Sequence, residues 1–483
     1  MELTAGDIAT VTGGELLSGD RRTVATSFSF DTRTLEPGAC FIAVRSHRDG
    51  HDFVADAFAR GAAVAIVERA VPGLPASAAV VRVDDAFEAL AALGRYAREQ
   101  TPDVTVVAVT GSAGKTVTKD FAASAHRTRR VHASPGSFNN EIGLPLTLLT
   151  APPGVEVVVV EMGARFPGNI ADLCEIARPR VGIVTNVGWA HAEHLGGPAG
   201  VARVKGELVE ALPESGVAIL NADDRATGEL AARTSATVLR VGAAPESDLR
   251  WADVRLDAEL RAEFLLETPW GSSAVCLSAR GAHQVANASL AAASALVNGV
   301  ELHDVVAGLA EVTAVPGRMH LVHAEDGVVI LDDAYNASPS SMEAALRGLQ
   351  ALPAAGRRIA VLGAMRELGS YSPLAHEHVG RVAGEVGVDV LIVVGDDASD
   401  LALGAGDAGV REPCAASSSR ATPSLSKRVA RWGSRSSSMR CSTEARRSDL
   451  ASDRGGGRVR RDGARNAFPD SRVAVARCRS AHP

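Results

Sequence analysis

Residues 104–121 read VTVVAVTGSAGKTVTKDF, and the class of the fold follows from them. The small and β-branched run Val104 to Val109 reads as a buried parallel strand. The chain then turns through Gly111-Ser112-Ala113-Gly114 and opens a helix at Lys115-Thr116. Glycines let the backbone approach a phosphate closely and aim N–H groups inward at the positive end of a helix. Lys115 adds a mobile cation for the outer phosphates of ATP, and Thr116 a hydroxyl for Mg²⁺. The spacing is G-x-x-G-K-T, two residues shorter than the common phosphate loop. Gly-rich turns between strands and helices are frequent in general. The Lys-Thr directly after the glycine and the apolar strand directly before it point to nucleotide binding.

Working outward, 101–312 follows the β/α alternation of a doubly wound parallel sheet. The run 137–145 (SFNNEIGLP) is dense in amides and ends in a Gly/Pro turn. A valine-rich strand at 155–160 closes on Glu161, a carboxylate where a Mg²⁺-bound acid would sit. The strand 181–185 leads to His191 on the same expected rim. A helix over 201–212 carries Lys205, which locally reads as an ordinary solvated lysine. A small-residue helix over 281–293 places His283 and Asn287 one turn apart.

On the N-terminal side, 1–100 reads as a small α/β unit with Asp31-Thr32-Arg33 before a turn and the charged loop RSHRDGHD at 45–52. On the C-terminal side, 313–410 restarts the alternation. Gly317-Arg318 precedes a strand over 328–331 that runs into Asp332-Asp333-Ala334-Tyr335-Asn336-Ala337-Ser338-Pro339, and the next helix starts at Ser340 with that serine as its cap. The expected architecture is α/β in three domains, a length-based count at ~150 residues each. A small N-terminal domain (1–100) and a Rossmann-like C-terminal domain (313–410) flank the P-loop ATPase domain (101–312).

Composition narrows the function. Aromatics are 4% of the 483 residues, which leaves little for base stacking. No apolar run approaches the ~20 residues of a membrane span, and no basic-then-apolar leader opens the chain, so a cytoplasmic protein is expected. The six cysteines show no C-x-x-C spacing and suggest neither a zinc ribbon nor a disulfide framework. The net charge of −7 conceals a split: 411–483 hold 17 basic and 6 acidic residues, so the first 410 residues carry −18. That basic tail, with 16 Arg and 14 Ser and little apolar periodicity, reads as a frameshifted or disordered segment that leaves the last domain truncated or aberrant.

Taken together, 109–116 (VTGSAGKT), 138–145 (FNNEIGLP), Thr185-Asn186-Val187-Gly188 leading to His191, and 333–339 (DAYNASP) resemble the Mur ligases, and most closely their D-alanyl-D-alanine-adding members. The loop 365–369 (MRELG) adds to that likeness, which spans about 20 to 400. The resemblance implies an ATP-dependent amide ligase that joins D-alanyl-D-alanine to UDP-N-acetylmuramoyl-tripeptide through an acyl phosphate, in peptidoglycan precursor synthesis. It implies ATP contacts at Gly111, Ser112, Ala113, Gly114, Lys115, Thr116, Asn287, Arg318 and Asp333. It further implies two Mg²⁺ ions at Thr116, Glu161, His191 and a carbamylated Lys205, so that Lys115, Glu161, His191 and Lys205 form the catalytic set. UDP-substrate contacts fall on Asp31, Thr32, Arg33, Asp49, Gly50, His51, Asn139 and Asn140, and Asn336 and Ser338 face D-alanyl-D-alanine. A monomer without nucleic-acid partner or membrane span is expected. The alternatives are another Mur or folylpolyglutamate-type ligase, or a nucleotide-binding ligase impaired by the aberrant tail. Ala364 stands where the family usually has an acidic residue.

Overall fold

The structure, a computed structural model, describes residues 1–410 apart from His47, Ala314, Val315, Glu325, Asp326 and Ala355, and beyond them the strands Glu412–Ala416 and Ala474–Arg477. The frameshift-or-disorder reading of the tail otherwise lies outside the described residues. The chain divides into two compact units. One is Met1–Ala314 with Glu367–Tyr371; the other is Val315–Arg366 with Ser372–Pro483.

The first unit holds two main sheets. Five short strands form the N-terminal one, in the order Glu15–Ser18, Ala79–Arg82, Val64–Val67, Ala39–Ile42, Ser27–Ser29. The helix Ala86–Glu99 starts at Asp85, whose carboxylate accepts from the N–H groups of Phe87 and Glu88. Its apolar stripe, Ala86, Ala89, Leu90, Leu93 and Ala97, is buried in a core that also contains Ile66 of the first sheet, Val106 and Val158 of the second, and Ile176 of the helix Asn169–Ala177. At Gly94 a Cβ would come within 2.9 Å of Pro145 and Ile176, so the helix lies hard against the central region. The expected boundary at residue 100 therefore marks a change of sheet but not of core.

The central sheet has nine strands. Val131–Ala133, Val157–Glu161, Thr105–Thr110, Val181–Val184, Val217–Asn221, Thr237–Gly242 and Leu249–Leu256 run parallel, and Arg261–Thr268 and Gly271–Arg280 close it antiparallel. That closing hairpin is absent from the doubly wound expectation. Its signal is an alternation of buried Ala262, Phe264 and Leu266, then Val275, Leu277 and Ala279, with more exposed neighbours between. Along Thr105–Thr110 the two faces separate. Val106 and Ala108 enter one core, while Val107 and Val109 enter another with Phe121 of Lys115–Ala125 and the alanines of Gln284–Val297. Register matters most for function. Glu161 lies opposite Val109 and Val184 opposite Thr110, so three strands end level and start their loops from one rim.

The second unit's sheet runs His320–His323, Val329–Asp332, Ala474–Arg477, Arg358–Gly363, Val390–Val394, Glu412–Ala416. The tail strand Ala474–Arg477 pairs parallel to both of its neighbours. The helix Pro339–Ala351 begins earlier than expected. Its cap is Ser338 rather than Ser340, in a reciprocal box with Ser341, because Pro339 lacks an N–H and sits at the first helical position.

Candidate active site

The rim is organised by the loop 111–114. Gly111 (φ 146°) and Gly114 (φ 80°) hold conformations that side chains rarely adopt. Space excludes side chains as well: a Cβ at Gly111 would stand 2.0 Å from the Thr185 hydroxyl, and one at Gly114 2.6 Å from Asn287 Oδ1. The loop is tied to the next strand end. The Thr185 hydroxyl donates to Ala113 O (2.6 Å), Asn186 Oδ1 accepts from Ala113 N (2.9 Å), and Ser112 Oγ accepts from Gly188 N (2.8 Å). Lys115 Nζ donates back to Gly111 O at 2.9 Å. This is a preformed cradle at a helix N-terminus, as phosphate binding requires.

Thr116 opens the same helix, its hydroxyl 3.2 Å from Ser137 Oγ. Glu161 is 1% exposed, and its Oε1 accepts from Asn139 Nδ2 at 2.7 Å. Its Oε2 is buried with no hydrogen-bond partner among the described residues. A carboxylate oxygen buried without a partner suits a hard cation, and Thr116 and Glu161 are the kind of oxygen donors that Mg²⁺ accepts. No group of three His, Cys, Asp or Glu side chains able to hold a metal occurs among the described residues. A Mg²⁺ here would complete its shell with water and phosphate oxygens, its usual habit.

Lys205 is the largest departure from its local sequence reading. On the helix Gly197–Glu210 it is 1% exposed, and burial, then the nearby charge of Lys115, push its amine down to about 7 against the pull of Glu207 and Glu161. Glu207 holds that helix in place by accepting from the N–H groups of Gly168, Ile170 and Ala171 (2.8, 3.1 and 3.1 Å) at the start of Asn169–Ala177. His191 (φ 61°) is half-buried, and its Nδ1 meets the Glu367 carboxylate, leaving Nε2 for any ligand. Burial lowers the His191 pKa, with Glu367 opposing. Glu367 itself is left-handed (φ 61°), and its carbonyl accepts from Glu193 N at 3.1 Å. Sequence reasoning used Glu367 only as part of a loop signature; nothing local announces its partner 176 residues away. Asn287 is buried beside Gly114, its amide donating to Gln284 Oε1 at 2.9 Å, and His283 next to it is held neutral by burial, pushed down to about 4.

The expected uridine residues fall into three groups. Arg33 grips Asp31 through Nε (2.9 Å) and Nη2 (2.6 Å), holding the Asp31 carboxyl below its usual range, and Thr32 is buried between them. His51 is buried with both ring nitrogens engaged: Nε2 accepts from Glu68 N (2.9 Å), so Nδ1–H donates to Asp49 (2.6 Å). Asp49 also takes Arg69 (3.1 Å), and its carboxyl is held far below the usual range by His51 and Arg69. A Cβ at Gly50 would meet Val44 O at 2.7 Å. His51, Asp49 and Gly50 thus shape the loop from within. Asn139 serves Glu161, and Asn140 Oδ1 accepts from Gly143 N (3.0 Å), turning the chain into Gly143–Leu149. Phe30 and Phe138, beside Asp31 and Asn139, pack with ring centroids 6.2 Å apart and join this segment to the N-terminal sheet.

In the second unit, Arg318 lies over the Tyr335 ring, 4.1 Å from its centroid. Asp333 Oδ1 accepts from Met319 N (3.0 Å), and desolvation pushes its carboxyl up to about 6 despite Arg318. Ser338 is occupied as a helix cap and Asn336 is exposed.

This site and fold are those of a ligase that activates a carboxylate with a nucleotide, and the chain belongs to the Mur ligase family. The family model "Mur ligase middle domain" matches residues 109–295, and "Mur ligase, glutamate ligase domain" matches 317–430. The UDP-N-acetylmuramoyl-tripeptide–D-alanyl-D-alanine ligase of Mycobacterium tuberculosis (strain H37Rv) is 40% identical over 437 residues, 83% of this chain and 85% of that one. A crystal structure of MurF from Acinetobacter baumannii matches with a TM-score of 0.81 at 29% identity, covering 99% of this chain and 96% of that one. The MurF ligase from Thermotoga maritima in complex with ADP matches with a TM-score of 0.72 at 27% identity, covering 94% of each chain. Among the described residues no helix is long and apolar enough to cross a membrane.

Proposed function

We propose that this protein is the ATP-dependent ligase that joins D-alanyl-D-alanine to UDP-N-acetylmuramoyl-tripeptide. The observation that carries the reading is the level rim that holds the preformed phosphate cradle and the half-satisfied Glu161 carboxylate, with the buried Lys205 amine near enough to feel the charges of Lys115 and Glu161. The relatives' shared activity supplies the substrates.

A carboxylate resists attack by an amine because its carbonyl carbon is electron-rich. In the proposed sequence a carboxylate oxygen of the tripeptide attacks the γ-phosphorus of ATP, and ADP leaves with the bond electrons. The amino group of D-alanyl-D-alanine then attacks the acyl carbon. The amide bond forms, inorganic phosphate departs, and the ammonium proton is lost. Lys115 and the N–H groups of 111–114 hold the outer phosphates, which is most of what phosphoryl transfer asks of a protein. Thr116 and Glu161 would hold one Mg²⁺, with His191 and a carbamylated Lys205 at a second; the metals' chemistry is neutralisation of phosphate charge. An amine pushed down to about 7 is about half unprotonated at neutral pH, and the unprotonated form is the one that captures CO₂; its anionic product would end the burial of a cation. Asn287, Arg318 and Asp333 take the rest of the nucleotide. Asp31, Thr32 and Arg33 bind the uridine substrate within 1–100, with Asp49, Gly50 and His51 shaping that site. Asn336 lies toward the dipeptide, with Ser338 framing its loop in 313–410. A cytoplasmic monomer completes the reading.

Phosphate release tests it. The reading requires release that depends on both UDP-N-acetylmuramoyl-tripeptide and D-alanyl-D-alanine. Release with glutamate in place of the dipeptide would mark a folylpolyglutamate-type ligase, and ATP binding without release an impaired one.

A further inference from the structure

Lys119 is a charged residue that the nucleotide chemistry above does not use. It sits one helical turn beyond Lys115, yet is 3% exposed. An ammonium leaves water only when its donors are all met. Lys119 has three N–H donors, and three oxygens stand around it: Ser134 O at 2.7 Å, Gly136 O at 3.0 Å and Asp120 Oδ1 at 2.8 Å. The two carbonyls are two residues apart on one segment, bent there by left-handed Gly136 (φ 52°). Directly past this clamp the segment delivers Ser137 to the Thr116 hydroxyl (3.2 Å) and Asn139 to Glu161 Oε1 (2.7 Å). Ser134 also faces the backbone of Glu161, its Oγ 3.4 Å from Glu161 N.

We propose that Lys119 is a positioning residue for the metal–nucleotide site: its buried ammonium clamps 134–136 in the one register that sets Asn139 against Glu161 and Ser137 against Thr116. The inference rests on the reading of Thr116 and Glu161 as the holders of Mg²⁺. Outer partners of a metal ligand fix which of its oxygens is available, and their loss typically weakens binding 10–100-fold. A purely structural lysine would lower the melting temperature and leave metal affinity alone.

The test uses the full chain with ADP, and Mn²⁺ as the probe followed by electron paramagnetic resonance, so that no turnover is needed. Lys119→Met is expected to weaken Mn²⁺ binding to the ADP complex roughly tenfold, with ADP affinity in EDTA changed less than about twofold. Lys119→Arg, which keeps a cation in the clamp, is expected to fall between wild type and Lys119→Met. Asn139→Ala combined with Lys119→Met should not add its full factor, since both act through one segment. Wild-type Mn²⁺ affinity in folded Lys119→Met overturns the proposal, as does an equal loss of metal-free ADP affinity, or full additivity with Asn139→Ala. If Lys119→Met does not fold, Lys119→Arg decides alone: a several-fold loss supports the clamp and none overturns it. Glu161→Gln separates the underlying reading, because Mn²⁺ binding unchanged by that variant would refute the metal site itself.

Discussion

The central rim and the Asp333–Ser338 motif of the second unit are both polar clusters at the carboxyl ends of parallel strands, but they are built differently. Around the phosphate loop the charged groups are sealed, with Glu161 and Lys205 each 1% exposed and Lys119 3%. The segment 134–139 holds Lys119 and Glu161, and Glu207 fixes the helix that carries Lys205. At Asp333 there are local contacts: a neighbouring turn, a serine box and an arginine stacked on a tyrosine that is 42% exposed. A dry, over-determined cluster strengthens electrostatics and needs no reorganisation, as transfer of a highly charged phosphoryl group demands. A wetter cluster suits recognition, where each contact contributes modestly. The difference teaches where mutational effects should be large.

The sharpest contrast comes from Lys115→Met, expected to lower kcat roughly 10³-fold in a phosphate-release assay because a preorganised charge in the dry rim is lost. A loss no larger than that of any variant in the second unit would break the contrast. Glu367→Gln keeps its shape but weakens its hold on His191 Nδ1, and should cost about tenfold in kcat with an unchanged melting temperature. Arg318→Lys removes the planar cation from Tyr335 and should raise the KM for ATP only several-fold, the ~0.5–1 kcal/mol of an exposed cation–π contact.

The smallest effect is on stability. The Asp333 carboxyl is raised from 3.8 to about 6, so the folded protein holds that proton more tightly than the unfolded chain. Its contribution is fully present below about pH 4 and is lost as pH rises through about 6. Asp333→Asn should therefore stabilise the nucleotide-free protein above pH 7 by ~1 kcal/mol, after allowance for its partial exposure, and leave it unchanged at pH 4. Thermal melts at the two pH values measure this, and a pH-independent change would show that the carboxylate is not the cause.

Much of this was legible because it is local. The strand, the two glycines and Lys115-Thr116 are contiguous, and their order alone implies a cradle at a helix start. Glu161 closes its own valine strand, so its place on the rim follows from parallel pairing. The antiparallel hairpin 261–280 had a period-two signal but lies after a long run of β/α units, where alternation argues for more of the same. Ser338 rather than Ser340 became the cap because proline chooses the first helical position.

The sequence by itself determined the sheet order's raw material, the phosphate loop and the kinds of side chain available, because each depends on neighbours within one element. Only the tertiary structure decided that the Lys205 and Lys119 amines are buried, that Asn139 serves Glu161, that His51 is a loop pin and that Glu367 meets His191. The reason is physical. Burial and charge pairing depend on which distant segments exclude water from a group, and a lysine on a helix looks the same in sequence whether its next neighbour in space is solvent or a carbonyl.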